Sequence, residues 1–176
     1  MSKAVMLSIR PRWVQKIANG EKTVEVRKNH PKLETPFKCY IYETQGWVEK
    51  DGIMAFRLGG RVIGEFSCGR IFPINVFDNG SIQNWFFEYM EQSCLTYEEL
   101  AGYIGNGETG YGWHIFDLRI YDQPREFTEF RRPCPNDLYC EDCAMYSNNN
   151  GICNNGALTL RRPPQSWCYV EVTEDV

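Results

Sequence analysis

The chain has 176 residues, a net charge of −4, 43% hydrophobic and 14% aromatic residues, and eight cysteines. That length suits one domain with at most a small appendage. The net negative charge argues against a general nucleic-acid binder, and no apolar run is long enough for a membrane-spanning helix. The N-terminus has no apolar core of signal-peptide type, so a cytoplasmic location is expected, with cysteines reduced or metal-bound rather than bridged.

The charge is unevenly spread. Residues 1–32 hold eight Lys or Arg against Glu21 and Glu25, a net of +6, and the rest of the chain carries −10. A basic face on an acidic protein attracts phosphate locally. The alternative is a solvated surface balanced by acids elsewhere in space.

Met6–Ile9 reads as a short strand. Arg10-Pro11-Arg12 then opens a helix, with Pro11 near the first position, where a missing N–H matters little. Trp13, Val14, Ile17 and Ala18 give that helix an apolar stripe. Gly20 stands where a helix end favours a left-handed residue. A polar strand follows. Val24 and Val26 point one way and Thr23, Glu25 and Arg27 the other. A half-buried strand ordinarily shows such a face to water. A hydroxyl, an anion and cations on one face also match a polar, hydrogen-bonding ligand.

Lys38–Tyr42 reads as a strand and residues 46–60 as a loop or hairpin. Arg61–Ile71 alternates as a strand, with Gly64 marking a bulge or a close backbone approach. Ile82, Trp85, Phe86, Tyr89 and Met90 recur at helical spacing over residues 81–91. Thr96-Tyr97-Glu98-Glu99 is a capping box opening a second helix through Tyr103. Residues 105–110 form a turn, Tyr111–Tyr121 a long strand, 131–166 an irregular segment and Trp167–Val172 a last strand. With 15 Gly and 9 Pro, short strands and many turns suit a barrel.

The string Ser8-Ile9-Arg10-Pro11, together with Gly20-Glu21-Lys22-Thr23-Val24-Glu25-Val26-Arg27, resembles the ASCH domain family of the PUA-like superfamily. The likeness continues more loosely through Val62–Phe66 and Tyr111–Ile115. It looks most like the phage- and prophage-type branch, whose closing Pro-Pro-Gln-Ser-Trp-x-Tyr-Val string is here Pro163–Val170. The resemblance implies an α+β fold: a PUA-like small β-barrel with flanking helices over residues 1–130 plus 163–176, and a Cys-rich insert at 131–162. It also implies a binding module for RNA or a nucleotide-like ligand, seated between the first helix and the polar strand. Lys22, Arg27, Arg10 and Arg12 would meet phosphate, and Glu25 and Thr23 would orient base or sugar. Trp13, Tyr111, Trp113, Trp167 and Tyr169 lie in or beside the segments that flank the family's pocket, and one or two of them, Trp13 or Trp113 first, would stack, since aromatic faces beside cations hold unpaired bases. His114 is either a buried, hydrogen-bonded histidine or a residue reading a base edge.

Some small members of the family are amidohydrolases on acetylated cytidine, and the alternative function is hydrolysis of such a nucleoside or of RNA. The family's lysine corresponds to Lys22, its nucleophilic threonine to the position of Glu25, and its glutamate to Glu65 or Glu88. Lys22 with Glu25 or Glu65 as base would then be catalytic. A third reading is a phage accessory protein with a protein partner.

Cys134, Cys140, Cys143 and Cys153 fall within twenty residues. Cys140 and Cys143 form a C-x-x-C pair, whose spacing lets two thiolates reach one ion from a tight turn. One cysteine on each side completes a closed, structural zinc site, which would stabilise a segment poor in apolar residues. Unligated thiols or disulfides are the alternatives, and Cys168 is a possible substitute ligand. On the zinc reading, purified protein carries about one zinc per chain and Cys143→Ser loses it, as elemental analysis reports. Metal-free protein with all its thiols open to titration refutes the site.

Overall fold

The computed structural model describes residues 3–50, 53–77, 79, 81–82, 87–135, 153 and 155–173. Strand β1 (Lys3–Ile9) leads through Arg10 into helix α1 (Pro11–Ala18) and strand β2 (Val24–Arg27). Strand β3 (Phe37–Glu43) is followed by a hairpin of β4 (Gly46–Lys50) and β5 (Ile53–Leu58), then the long strand β6 (Arg61–Asn75). Helices α2 (Phe87–Ser93) and α3 (Tyr97–Ile104) precede β7 (Thr109–Arg125), and β8 (Trp167–Glu171) closes the order. Among the described residues between β7 and β8 are the 3₁₀ turns Phe127–Glu129 and Gly156–Leu158.

Six strands form one sheet in the order β2-β7-β6-β3-β1-β8, and β4 and β5 pair separately. Only β1 and β3 run parallel; the other neighbours in the sheet are antiparallel. Strand β1, between β3 and the edge strand β8, is buried on both faces. Val5, Leu7 and Ile9 face a core with α1's Val14 and Ile17 and with Trp113, whereas Ala4 and Met6 face a second core with Tyr40, Phe130 and Leu160. A third core joins Val24 and Val26 of β2 to Phe72 and Ile74 of β6 and to Leu100 and Ile104 of α3. Helix α1 buries a narrower stripe than its spacing implies, because Trp13 is half-buried and Ala18 faces solvent.

The sheet does not close into the barrel that the resemblance implies. Its edges are β2 and β8, and no ladder joins them. The four residues of β2 pair with β7 on one side only. Toward β1 the gap is spanned by a side chain, Arg27 Nη2 donating to the Ser8 carbonyl at 2.8 Å. Paired strands lie about 4.8 Å apart, too close for an extended arginine to lie between their backbones. β1 already pairs with β3 on one side and β8 on the other, so the Arg27 hydrogen bond ties β2 to β1 without a ladder.

Other expectations shift at their ends. The 81–91 helix is described only from Phe87, and Trp85 and Phe86 lie outside the described residues. The capping box of α3 is present in both directions, Thr96 Oγ1 accepting from Glu99 N–H and Glu99 accepting from Thr96 N–H. Strand β7 runs on through Pro124 to Arg125. Cys140 and Cys143 lie outside the described residues. Among those described, no group of three or more His, Cys, Asp or Glu is placed to hold a metal. Cys134 and Cys153 are free, and Cys153 Sγ accepts from Arg131 Nη2 at 3.4 Å. Cys39 and Cys68 are core thiols. Burial drives Cys39 well above its ordinary value and pushes Cys68 up to about 12, so neither is a thiolate at neutral pH.

Gly64 marks both a bulge and a close approach. The β6–β7 register shifts beside it, and a Cβ there would lie 2.5 Å from the Arg119 carbonyl oxygen. Because that neighbour is backbone, Gly64→Ala must open the central ladder. The expected destabilisation is about 2 kcal/mol or more, read as a lowered denaturation midpoint. An unchanged midpoint would show that the ladder yields freely.

Candidate functional site: a cleft at the open edge of the sheet

The opening between β1 and β2 is a cavity of about 600 Å³, large enough for a nucleotide-sized ligand. It lies at the C-terminal ends of the parallel pair, with Ser8 and Ile9 from β1 and Thr44 just after β3. Helix α1 contributes Arg12 and Trp13, β2 contributes Glu25 and Arg27, and α3 contributes Glu99 and Tyr103. Gln165 and Ser166, just before β8, complete the wall.

Local structure explains how Lys22 enters this wall. Arg10 caps α1 in an extended conformation, with Pro11 at the first helical position. The helix ends at Ala18 with Asn19 as its cap, and Gly20 follows at φ +76°, a left-handed conformation that disfavours larger residues. Glu21 and Lys22 then donate their backbone N–H groups back to the Lys16 carbonyl at 2.9 and 3.0 Å. This closed turn directs the Lys22 side chain inward.

The Lys22 side chain is only 2% exposed, and its ammonium is well engaged. It donates to the carbonyl of Val24 at 2.9 Å and to that of Ser93 at 2.6 Å, and it lies 3.4 Å from Glu25 Oε2. Ser93 is the last residue of α2, and Cys94 turns left-handed there at φ +54°. A cation on that carbonyl also meets the negative end of the helix. Glu25 Oε1 pairs with Arg27 Nη2 at 3.0 Å, and the same Nη2 reaches the Ser8 carbonyl. Ser8 is held in turn by Pro164 and Ser166: its hydroxyl donates to the Pro164 carbonyl at 2.6 Å and its N–H to the Ser166 carbonyl at 2.9 Å. One network therefore ties α1, β2, α2, β1 and the segment before β8.

Two atoms of this network make no hydrogen bond: Arg27 Nε, a donor without a partner, and Glu25 Oε2, whose contact is the 3.4 Å ion pair with Lys22. Both residues are over nine-tenths buried and both line the cavity. A buried polar atom without a partner is destabilising by about 1–3 kcal/mol. At the mouth, Arg12 lies over Trp13 with its guanidinium 4.2 Å from the ring centroid, and it meets Glu99 at 3.5 Å. Four cations, Arg10, Arg12, Lys22 and Arg27, line the cleft against two carboxylates, Glu25 and Glu99.

The remaining sequence candidates lie elsewhere. Thr23 is half-buried but does not line the cavity; its N–H donates to Gln92 and its carbonyl accepts from Ile115. Trp113 is fully buried in the core under α1, against Phe37 and Trp167. His114 pairs with Val24 across the ladder and stacks on Phe116 with ring centroids 6.3 Å apart. Glu65 belongs to a separate group, accepting from Lys38 at 3.0 Å and from the Tyr121 hydroxyl at 2.6 Å. Burial and that carboxylate raise the Tyr121 phenol well above its usual range. The Glu88 side chain lies outside the described residues. Ser8, Thr44, Glu99, Tyr103, Gln165 and Ser166 line the cleft without having been singled out as ligand-binding residues. Ser8 and the Gln165-Ser166 pair do fall in strings that carry the family resemblance.

The fold and these strings belong to a known class. The model of the ASCH domain matches residues 7–103, and the chain belongs to that family. In structure it is similar to the ASCH protein of Zymomonas mobilis, with 20% identity and a TM-score of 0.55 over 96% of this chain and 87% of that one. A tyrosine-to-phenylalanine variant of the same protein gives 20% identity and a TM-score of 0.56 over 97% and 91%. A serine-to-alanine variant gives 19% and 0.55 over 96% and 88%. At these identities the likeness establishes the fold. No curated protein matches the sequence of this chain.

Lys22 has its donors engaged by Val24, Ser93 and Glu25, so its replacement acts first on stability. Lys22→Met should cost about 3–5 kcal/mol, the range for leaving one partner of a buried ion pair behind. Denaturant unfolding measures this. A loss below about 1 kcal/mol would mean that water compensates the abandoned carboxylate and carbonyls.

Proposed function

We propose that the cleft binds RNA or a nucleotide-like ligand, reading a base edge with Glu25 and Arg27 and receiving phosphate at its cationic mouth. The observation that supports this reading is a buried charged pair on the wall of a nucleotide-sized cavity, in which Arg27 Nε has no hydrogen bond and Glu25 Oε2 has only its 3.4 Å ion pair with Lys22. Together they ask for a ligand edge that offers an N–H beside an acceptor. Nucleobases carry such edges, and unpaired bases are recognised through them. Arg10 and Arg12 are exposed and stand where a phosphate would approach. Arg12 and Trp13 already stack on each other, which suits a base or sugar at the same place.

The arrangement supports binding over hydrolysis. A carboxylate occupies the position of the nucleophilic threonine, Lys22 is committed to three acceptors, and Glu65 sits in its own network with Lys38 and Tyr121. A structural zinc held by Cys134, Cys140, Cys143 and Cys153 is proposed as a separate feature of the 131–162 segment. Soft thiolate donors suit it.

Titration calorimetry with the four nucleoside monophosphates, against ribose 5-phosphate, tests the cleft. A nucleoside monophosphate should bind more tightly than the sugar phosphate, with affinity falling as salt rises. Glu25→Gln, which keeps the shape, should weaken nucleotide binding by roughly tenfold while leaving ribose 5-phosphate unaffected, since a hydrogen bond to a charged group contributes about 1.5–3 kcal/mol. Equal loss for both ligands, or none for either, refutes base reading by Glu25.

A further inference from the structure

The described residues outline a second cavity of about 720 Å³. It takes up where the first ends along the chain: Gln165 and Ser166 line the first, and Trp167, Cys168 and Tyr169 line the second. Its chemistry is of one sign. Lys3, Lys32 and Arg132 are all exposed and line it, with no carboxylate among its described lining residues.

Register explains the grouping. Across the β1–β8 ladder Trp167 faces Leu7, Tyr169 faces Val5 and Glu171 faces Lys3, so these side chains share one face of the sheet. The two rings are held from several sides. Trp167 Nε1 donates to Asn29 Oδ1 at 2.7 Å, and its ring packs against Trp113 with centroids 6.1 Å apart. The Tyr169 hydroxyl accepts from the Lys32 backbone N–H at 2.8 Å, and the rings of Trp167 and Tyr169 meet edge to face at 5.4 Å. Rings already fixed lose little freedom when a base stacks on them.

We infer that a single RNA strand whose base occupies the first cleft continues into this second cavity. Its neighbouring nucleotides stack on Trp167 or Tyr169, and its phosphates meet Lys3, Lys32 and Arg132. The inference rests on the nucleotide reading of the first cleft and extends it from one nucleotide to a strand. Cations tracking a backbone beside aromatic platforms are how single strands are held. A polyanion also suits this cavity better than a protein surface of mixed charge.

The test compares nucleoside monophosphates with a mixed-sequence hexaribonucleotide on the intact chain, using Lys32→Glu with Arg132→Glu as the double variant. Both residues are exposed, so the fold should survive, and circular dichroism checks it. Wild type should bind the hexamer more tightly than any monophosphate. The double variant should lose at least tenfold for the hexamer, with its salt slope reduced by roughly one to two, and nothing for the monophosphate. Arg119→Glu, exposed on β7 and lining neither cavity, should leave hexamer affinity unchanged. A hexamer no tighter than a monophosphate, or one indifferent to the double variant, overturns the second cavity while the first reading stands. Monophosphates that fail to bind, with hexamer binding still lost in the double variant, remove the first reading and leave the second cavity as the RNA site. Failure of wild type to bind either length overturns both.

Discussion

A carboxylate buried between two cations is the constraint on which the site depends. Glu25 lies between Lys22 and Arg27, all three less than a tenth exposed. Moving such charges out of water is costly, and mutual attraction repays it only where further hydrogen bonds complete the geometry. Here the carbonyls of Val24, Ser93 and Ser8 supply acceptors from β2, α2 and β1. Each of those elements must hold its place for the charges to stay satisfied, so the network fixes their relative positions. The tight turn at Gly20 and the left-handed Cys94 are the local conformations that bring Lys22 and Ser93 together.

The same network bridges the open side of the sheet. β1 is paired on both sides, with β3 and β8, so β2 meets it through the Arg27 side chain on the Ser8 carbonyl and not through a ladder. The resulting gap is polar on one wall and aromatic and cationic at its mouth, and its shape is set before any ligand arrives. Preorganisation of this kind favours affinity because little side-chain freedom remains to be lost on binding. Burial also divides the cations by task. Lys22 and Arg27 are structural partners of Glu25, whereas Arg10 and Arg12 stay exposed, where a long-range attraction to phosphate acts.

A second polar group, Glu65 with Lys38 and Tyr121, shows how similar residue types reach a different end. The carboxylate takes a proton donor on each oxygen, the phenol is held protonated by burial, and neither lines either cavity. This satisfied arrangement joins β3, β6 and β7. The two carboxylates differ in that both oxygens of Glu65 accept hydrogen bonds, whereas Glu25 Oε2 has only its ion pair with Lys22, on a residue that lines a cavity.

By itself the sequence determined the local elements and the family. Period-two alternation marked β2, the Pro11 start and Gly20 stop marked α1, and Thr96 with Glu99 marked the start of α3, because each rests on interactions within a few residues. The same strings placed Lys22, Glu25 and Arg27 close together in space. What only the tertiary structure decided was which faces meet water and which strands meet each other. Trp113 and Trp13 read alike as aromatic neighbours of a polar strand, yet one is sealed in the core and the other is half-buried at the cleft. Glu99 and Ser166 line the cleft from positions far along the chain, and the open sheet follows from which strands pair, β2 with β7 and β8 with β1. Burial and long-range pairing depend on how distant elements pack, and periodicity along the chain carries no record of that.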